Sequence, residues 1–418
     1  LKKKKLAFYI GSLQKGGAER VMVNLAEYFF NQGYDVTLVT TYLASNEYEV
    51  ENAAWEVEKI VSKEKAYVLG TKDSNVSLAQ VLGDVNVRAI VKTRADGGIK
   101  RVFSAAEDSD LSRVKGFMAR FNRLRKIWKD LEPDLILSFL GKTNIMALLT
   151  SRKLGIPVVV SVRAKPSEEY NGKLMWNSMR LSFLFAKGVV LQTNGAKKCF
   201  PKSIQKKSVI LPNSINPAFI GNAFFGERQK SIVTVGRLDY NKNQRMLIEA
   251  FSKLSDKYSD VKIHIYGDGP DRKELERLSA DLKLNISSQK ADKTLDRVIF
   301  EGQVSDVYAR IQKAGIYVLT SDTEGMPNSL IEAMSLGIPC ISTDCQFGPS
   351  ELIEDGKNGL LVKVRDTDSL TRALDRLLSD SEYSKKLGKA AADISKLYAP
   401  EVINSKWKDY FDFLIERK

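Results

Sequence analysis

With 418 residues the chain is too long for one ordinary core, which implies two domains, and its 43% hydrophobic and 28% charged residues exclude a disordered polymer. Three cysteines (Cys199, Cys340, Cys345) without a CxxC pair, and a single histidine, His264, argue against a disulfide framework or a structural zinc site and for a reducing, cytoplasmic setting. The net charge of +14 asks for an anionic partner, either a phosphate-bearing substrate or an anionic membrane surface; spread along the chain without an RNP or zinc-finger pattern, it does not call for nucleic acid.

Lys2 to Lys5 followed by the apolar run Leu6–Leu13 resembles a signal peptide, but the run is short and breaks at Gln14-Lys15 without a cleavage site. A buried first strand entering a glycine turn fits better, and no stretch is long enough to span a bilayer. Further strands are expected at Asp35–Thr41, Asp134–Leu140, Pro157–Val162 and Gly188–Thr193. A second set follows at Ile232–Leu238, Val261–Gly267, Val298–Gly302, Ile316–Ser321, Cys340–Thr343 and Gly359–Val362. Continuous apolar strands alternating with helical patterns predict parallel sheets covered on both faces, so the fold class is α/β with a doubly wound sheet occurring twice. The turn-rich stretch Pro212 to Gly226 marks the boundary, giving domains at 1–215 and 216–399 and a last helix from Pro400. Gly70 to Asp110 is irregular and reads as an elaboration on the first domain.

Between the first strand and its helix lies Gly11-Ser-Leu-Gln-Lys-Gly-Gly-Ala-Glu-Arg20. Gly16 and Gly17 either let backbone N–H groups approach a phosphate or simply make a tight turn. The segment Lys115–Lys129 holds six basic residues and no acidic one, with Phe117, Phe121, Leu124, Trp128 and Leu131 on one helical face. That stripe either packs on the sheet or meets a membrane, and the helix around Leu174, Trp176, Met179 and Phe183 carries the same two readings. After the strand Ile232–Val235, Arg237 and Lys242 in Gly236-Arg-Leu-Asp-Tyr-Asn-Lys242 are either a diphosphate clamp or solvated loop charges. His264 sits within a strand pattern and reads as a packed residue.

The richest string is Ser321-Asp-Thr-Glu324-Gly-Met-Pro-Asn-Ser-Leu-Ile-Glu332. A strand ends in a loop with Glu324, Gly325, Met326 and Pro327, and a helix begins near Asn328, so N–H groups at Asn328, Ser329 and Leu330 are expected to be open to an anion. Glu332 suits the two hydroxyls of a ribose and Glu324 the sugar side; either alone reads equally well as a helix-dipole partner or a strand end.

This string resembles the E-x7-E element of retaining glycosyltransferases of family 4, which have the GT-B fold. Gly16-Gly-Ala-Glu-Arg20, Gly236-Arg237-Leu with Lys242, Tyr266-Gly-Asp-Gly-Pro270, Glu301-Gly-Gln-Val-Ser-Asp306 and Gly348-Pro-Ser-Glu-Leu-Ile-Glu-Asp-Gly-Lys-Asn-Gly359 resemble further family elements in family order. The resemblance implies two Rossmann-like domains facing a cleft, a last helix returning to the first domain, and a nucleotide-sugar co-substrate, with UDP favoured. It implies that Arg237 and Lys242 contact the diphosphate and that Val304 and Asp306 border the base. Glu332 then holds the ribose, while Glu324 and the amides of Gly325 to Leu330 hold sugar and phosphate. Many relatives carry a first-domain histidine near the transferred sugar. This chain has Val160-Ser-Val-Arg163-Ala-Lys165-Pro166 there, similar to the Ser-x-Arg element of a subgroup that builds lipid-linked oligosaccharides and surface polysaccharides. Arg163 is therefore a candidate contact for a phosphate or an acceptor, and a lipid-linked or glycan acceptor is expected.

Asp108-Ser-Asp110 and Asp366-Thr-Asp368 match the letters of a metal-binding DxD, but the first lacks a preceding strand and the second resembles a helix start. Cationic side chains and a helix N-terminus neutralise a leaving diphosphate without a metal, so no metal or other cofactor is expected. Competing readings are a GT-B nucleotide-sugar epimerase, a hydrolase using Glu324 and Glu332 as an acid–base pair, and a non-enzymatic binder of anionic polymers.

Overall fold

The computed structural model describes residues 3–44, 46–61, 66–68, 88–93, 97–104, 113–284, 286–287 and 297–417. The chain divides into two compact units, one of residues 1–211 with 404–418 and the other of residues 212–403.

In the first unit, seven strands form one parallel sheet: β1 (Lys5–Ile10), β2 (Asp35–Thr40), β6 (Lys100–Phe103), β7 (Leu135–Phe139), β8 (Val158–Val162), β9 (Gly188–Leu191) and β10 (Ser208–Ile210), in the order β10-β9-β8-β7-β1-β2-β6. A separate antiparallel sheet holds β3 (Trp55–Val61), β4 (Ala66–Val68) and β5 (Arg88–Thr93). The order reverses between β1 and β7, and the crevice outside the carboxyl ends of two such strands is where open α/β sheets take ligands. β7, β8 and β9 are buried along their whole length, which explains why they read as continuous apolar runs. One correction concerns Gly70 to Asp110. Its Lys100–Phe103 is not an elaboration but the edge strand of the main sheet, hidden in the sequence because Lys100 and Arg101 break the apolar run.

Helices cover both faces. On one, Leu124 and Trp128 of helix Arg113–Leu131 lie in the core with Met146 and Ala147, and the Trp128 indole donates to Thr150 Oγ1 at 2.8 Å. The predicted stripe thus packs on the sheet through Leu124 and Trp128, whereas Phe117 is exposed. On the other, helix Gly17–Asn31 and the last helix, Pro400–Glu416, bring Phe29 and Phe411 into a stack 5.0 Å apart, with Phe8 edge-on to both. The last helix thus belongs to the first unit from Asn404 onward. Gly188 admits it, because a Cβ there would lie 1.9 Å from the Tyr410 hydroxyl.

The second unit repeats the scheme. Strands β11 (Ser231–Val235), β12 (Lys262–Tyr266), β13 (Ile286–Ser287), β14 (Val298–Gly302), β15 (Ile316–Leu319), β16 (Cys340–Thr343) and β17 (Leu360–Val362) pair in parallel as β13-β14-β12-β11-β15-β16-β17. The order reverses between β11 and β15, so the loops that follow these two strands meet at one end of the sheet. Among the described residues, no helix is long and apolar enough to cross a membrane.

Candidate functional site

Two sequence strings, joined by bonds between residues 82 apart, become neighbours at this reversal. The loop after β11 carries Gly236, Arg237 and Lys242; the loop after β15 carries Ser321 to Pro327 and leads into helix Asn328–Ser335. Asn241 joins them. Its carbonyl accepts the Asp322 amide at 2.8 Å, its side-chain N–H₂ donates to Thr323 O at 2.9 Å, and its Oδ1 accepts the Thr323 amide at 3.1 Å and hydroxyl at 2.6 Å. Thr320 donates to the Lys242 carbonyl at 2.9 Å, and Asn243 donates to Asp322 Oδ1 at 3.2 Å. Asp322 also accepts from Arg365 at 2.9 Å. The two loops are therefore joined by hydrogen bonds into one polar surface.

At its centre, Lys242 Nζ lies 2.5 Å from Glu324 Oε1, which also accepts from Ser321 Oγ at 2.5 Å. Glu324 has only 9% of its side chain exposed, so its charge is compensated locally, and that charge helps burial raise the nearby Cys345 thiol to about 12. Arg237 differs: its side chain is 71% exposed and 3.6 Å from Asp239 Oδ2, so it projects from the same loop toward solvent. The loop after β11 leans on Tyr266-Gly-Asp-Gly-Pro270 without intervening side chains. Gly267 has φ +129°, and a Cβ there would fall 1.9 Å from Gly236 O; at Gly269 it would fall 2.1 Å from Leu238 O.

Helix Asn328–Ser335 starts after Pro327, which supplies no side-chain cap. One expectation is corrected here: the Leu330 amide is not open, because the first turn tightens and it donates to Pro327 O at 3.1 Å. The Asn328 and Ser329 amides remain at the helix start. Asn328 is held through its side chain by Asn213 at 2.6 Å, and Ser329 by the Tyr317 hydroxyl at 2.8 Å. Gly325 and Met326 form the turn against Gly348, where a Cβ would fall 2.6 Å from Pro327 Cδ. Glu332 is buried in the second turn of this helix. Val304 packs against the core after β14; Asp306 is exposed beside Arg310 at 2.8 Å, which lowers its carboxyl pKa. β14 lies two strands from β11, on the far side of β12.

In the first unit, Gly16 is the N-cap of helix Gly17–Asn31, with extended backbone. The loop before it is pinned by Glu47, whose Oε1 accepts the Leu13 amide at 3.2 Å while its carboxylate pairs with the buried Arg101 at 2.7 Å. Arg163 follows β8. It is buried, with its guanidinium 4.8 Å above the Phe139 ring and 3.3 Å from Ser161 Oγ. Burial lowers its pKa to about 9, against the opposing charge of Glu169. Glu169 accepts the Arg163 and Ala164 amides at 2.8 and 3.1 Å, and burial raises its carboxyl to about 7 despite those bonds. Such an arginine stays cationic at neutral pH.

His264 lies in β12, stacked on Tyr266 and 2.8 Å from Glu301, as expected of a packed strand residue. Asp366 caps helix Thr367–Ser379 through the Ser369 amide, and Asp368 pairs with Lys253 at 2.6 Å. Asp108 and Asp110 lie outside the described residues. Among the described residues, no group of three His, Cys, Asp or Glu side chains is arranged to hold a metal ion. Sequence reasoning missed Asn241, Asp322, Arg365 and Asn213. Asn241 stood within a string of interest but carried no signal of its partners Asp322 and Thr323, the latter 82 residues away.

Two family profiles divide the chain, one described as Glycosyltransferase Family 4 over residues 15–219 and one as Glycosyl transferases group 1 over residues 218–393. The chain belongs to the family 4 glycosyltransferases. The enzyme is 26% identical over 406 residues, 96% of this chain and 97% of the relative, to a Campylobacter jejuni GalNAc-alpha-(1->4)-GalNAc-alpha-(1->3)-diNAcBac-PP-undecaprenol alpha-1,4-N-acetyl-D-galactosaminyltransferase. It is 27% identical over 293 residues, 67% of this chain and 78% of the relative, to the amylovoran biosynthesis glycosyltransferase AmsD of Erwinia amylovora. Among solved structures, Anabaena HepE in complex with UDP superposes with a TM-score of 0.69 at 17% identity, covering 98% of this chain and 99% of that one. Sucrose-phosphate synthase of Thermosynechococcus elongatus gives 0.71 at 16% identity over the full length of both chains. The fold of this glycosyltransferase is GT-B.

Proposed function

We propose that the enzyme transfers a hexose or N-acetylhexosamine from a UDP-sugar to a lipid-linked or glycan acceptor, with retention at the anomeric carbon and without a metal ion, at the cytoplasmic face of a membrane. The observation that carries the reading is the joining of the Lys242 loop to the Glu324 loop at the start of helix Asn328–Ser335. A cation, a helix N-terminus and a buried carboxylate sharing one surface suit a sugar diphosphate, whose negative charge grows as the sugar leaves. In this reading Arg237 and Lys242 hold the diphosphate and Glu332 the ribose. Glu324 orients the sugar with the turn Gly325, Met326, Pro327 and the amides of Asn328 and Ser329, while Val304 and Asp306 border the base. Arg163 binds an anionic group of the acceptor or phosphate. Gly16 and Gly17 let the backbone approach the substrate. The acceptor attacks on the face the diphosphate leaves, and the departing phosphate oxygen takes its proton.

Supporting the donor are HepE structures solved with UDP and with UDP-glucose; supporting the acceptor is the undecaprenol-diphosphate named for the Campylobacter relative. The test is calorimetry with UDP on Arg237→Ala and Glu332→Ala. Each loses a bond to a charged partner, roughly 1.5–3 kcal/mol or tens of fold in affinity. Unchanged affinity in both, with intact thermal melts, overturns the donor site.

A further inference from the structure

We propose that a groove on the first unit seats a hydrocarbon tail of an anionic membrane lipid. The groove lies among helices Arg113–Leu131, Gly141–Ser151 and Lys173–Ser182 and encloses about 500 Å³. Its walls are Phe117, Ile145, Leu149, Met175, Leu181 and Phe185, and Arg120 and Lys142 also line it. These helices meet the core mainly through Leu124, Ile127, Trp128, Ala147 and Met179, while Ile145, Met146 and Met175 border both core and groove. Phe117, Leu181 and Phe185 are exposed, as are Met118, Leu174 and Leu184 in the same chain segments. Exposed apolar side chains gathered around one groove mark an interaction surface.

Charge decides the occupant. Besides Arg120 and Lys142, the three helices expose Arg123, Lys126, Lys129, Lys173 and Arg180. Their one carboxylate, Asp130, borders a different cavity with Lys5, Asp35 and Lys100. The groove wall is mostly apolar, its hydroxyls being those of Ser178 and Ser182, the latter donating to Met179 O at 3.1 Å. An apolar slot bordered by Arg120 and Lys142, on helices rich in exposed cations, fits an acyl or isoprenoid chain below an anionic headgroup, with hydrocarbon burial and headgroup attraction adding. The inference rests on the reading above in that a lipid-linked acceptor brings this enzyme to a bilayer.

The test uses the full chain with phosphatidylcholine vesicles, with and without phosphatidylglycerol. Wild type is expected to sediment with the anionic vesicles at low salt and to be released at high salt. Leu181→Asp, and separately the double variant Arg120→Glu/Lys142→Glu, should each lower partitioning roughly tenfold or more. A fluorophore on Leu181→Cys, in a Cys199→Ser background, should be quenched by spin labels on acyl chains. Absence of anionic-vesicle binding, equal binding by Leu181→Asp, or quenching by headgroup labels alone overturns the proposal. Calorimetry with UDP on the same proteins separates the readings. If UDP binds and vesicles do not, the groove assignment falls alone; if vesicles bind and UDP does not, the donor reading falls and the groove stands. Leu181 and Cys199 are exposed, and melts on every variant show whether the fold is retained.

Discussion

Replacing Lys242 by Met separates the structural role of this lysine from a role at the diphosphate. In the structure its Nζ is 2.5 Å from Glu324 Oε1, with 22% of its side chain exposed against 9% for Glu324. Removing the cation leaves a nearly buried carboxylate held by the Ser321 hydroxyl. Orphaning one member of a fully buried pair costs about 3–5 kcal/mol. Solvent reaches Lys242, so the cost here should be nearer ~2 kcal/mol, a fall in melting temperature of roughly 4–8 °C for a unit of this size. Glu324→Gln removes the charge that needed compensation, and most of the stability loss of Lys242→Met should vanish in that background. UDP binding should not follow stability through the cycle. Lys242→Met should weaken it by tens of fold, while Glu324→Gln, which releases the lysine from its carboxylate, should leave it equal or tighter even as sugar transfer falls. Calorimetry with UDP, thermal melts and turnover on the four proteins of the cycle make the measurement. If Lys242→Met binds UDP like wild type, or both single variants weaken UDP alike and their stability effects simply add, the lysine is a structural partner and not a clamp.

Gly267→Ala places a Cβ 1.9 Å from Gly236 O at φ +129°, so it should destabilise the second unit by roughly 1–3 kcal/mol and weaken UDP with it; a wild-type urea midpoint would contradict the loop packing. Glu169, raised to about 7 by burial, binds its proton more tightly folded than unfolded. Its contribution is therefore complete at acid pH and declines as pH rises from about 4.5 to about 7, and Glu169→Gln should flatten that part of the stability profile. Melts from pH 5 to 8 in which wild type and Glu169→Gln run parallel would remove the carboxyl from this role. Transfer should survive excess EDTA, because Asp366 and Asp368 are committed to a helix cap and an ion pair; loss of activity restored by manganese would reverse the metal assignment.

What the sequence disclosed and what it hid follow from one distinction, between signals carried by neighbours along the chain and signals carried across it. β8 and β16 are buried on both faces, so every residue is apolar or small and the run announces a parallel strand. β6 is the opposite case. Arg101 is buried, but its charge is compensated by Glu47, 54 residues earlier, and nothing near it in the chain distinguishes a paired arginine from a solvated one. The same limit runs through the site. Glu324, Pro327 and Glu332 are legible because a strand end, a turn and a helix start must be encoded consecutively. Asn241 is silent because its four bonds go to Asp322 and Thr323, which arrive through the strand order β11-β15 and not through sequence. Arg365 joins Asp322 from the far side of β17, with no local mark at all. The Leu330 amide failed for a related reason: a helix start is visible in sequence, but whether its first turn tightens enough to use its own N–H depends on backbone geometry around Pro327. The residues readable in sequence are thus those at element ends, and the hidden ones hold those ends together. Substitutions at Asn241 or Arg365 should therefore disturb the site through its geometry, lowering turnover by displacing Lys242 and Glu324 rather than by removing a contact to substrate.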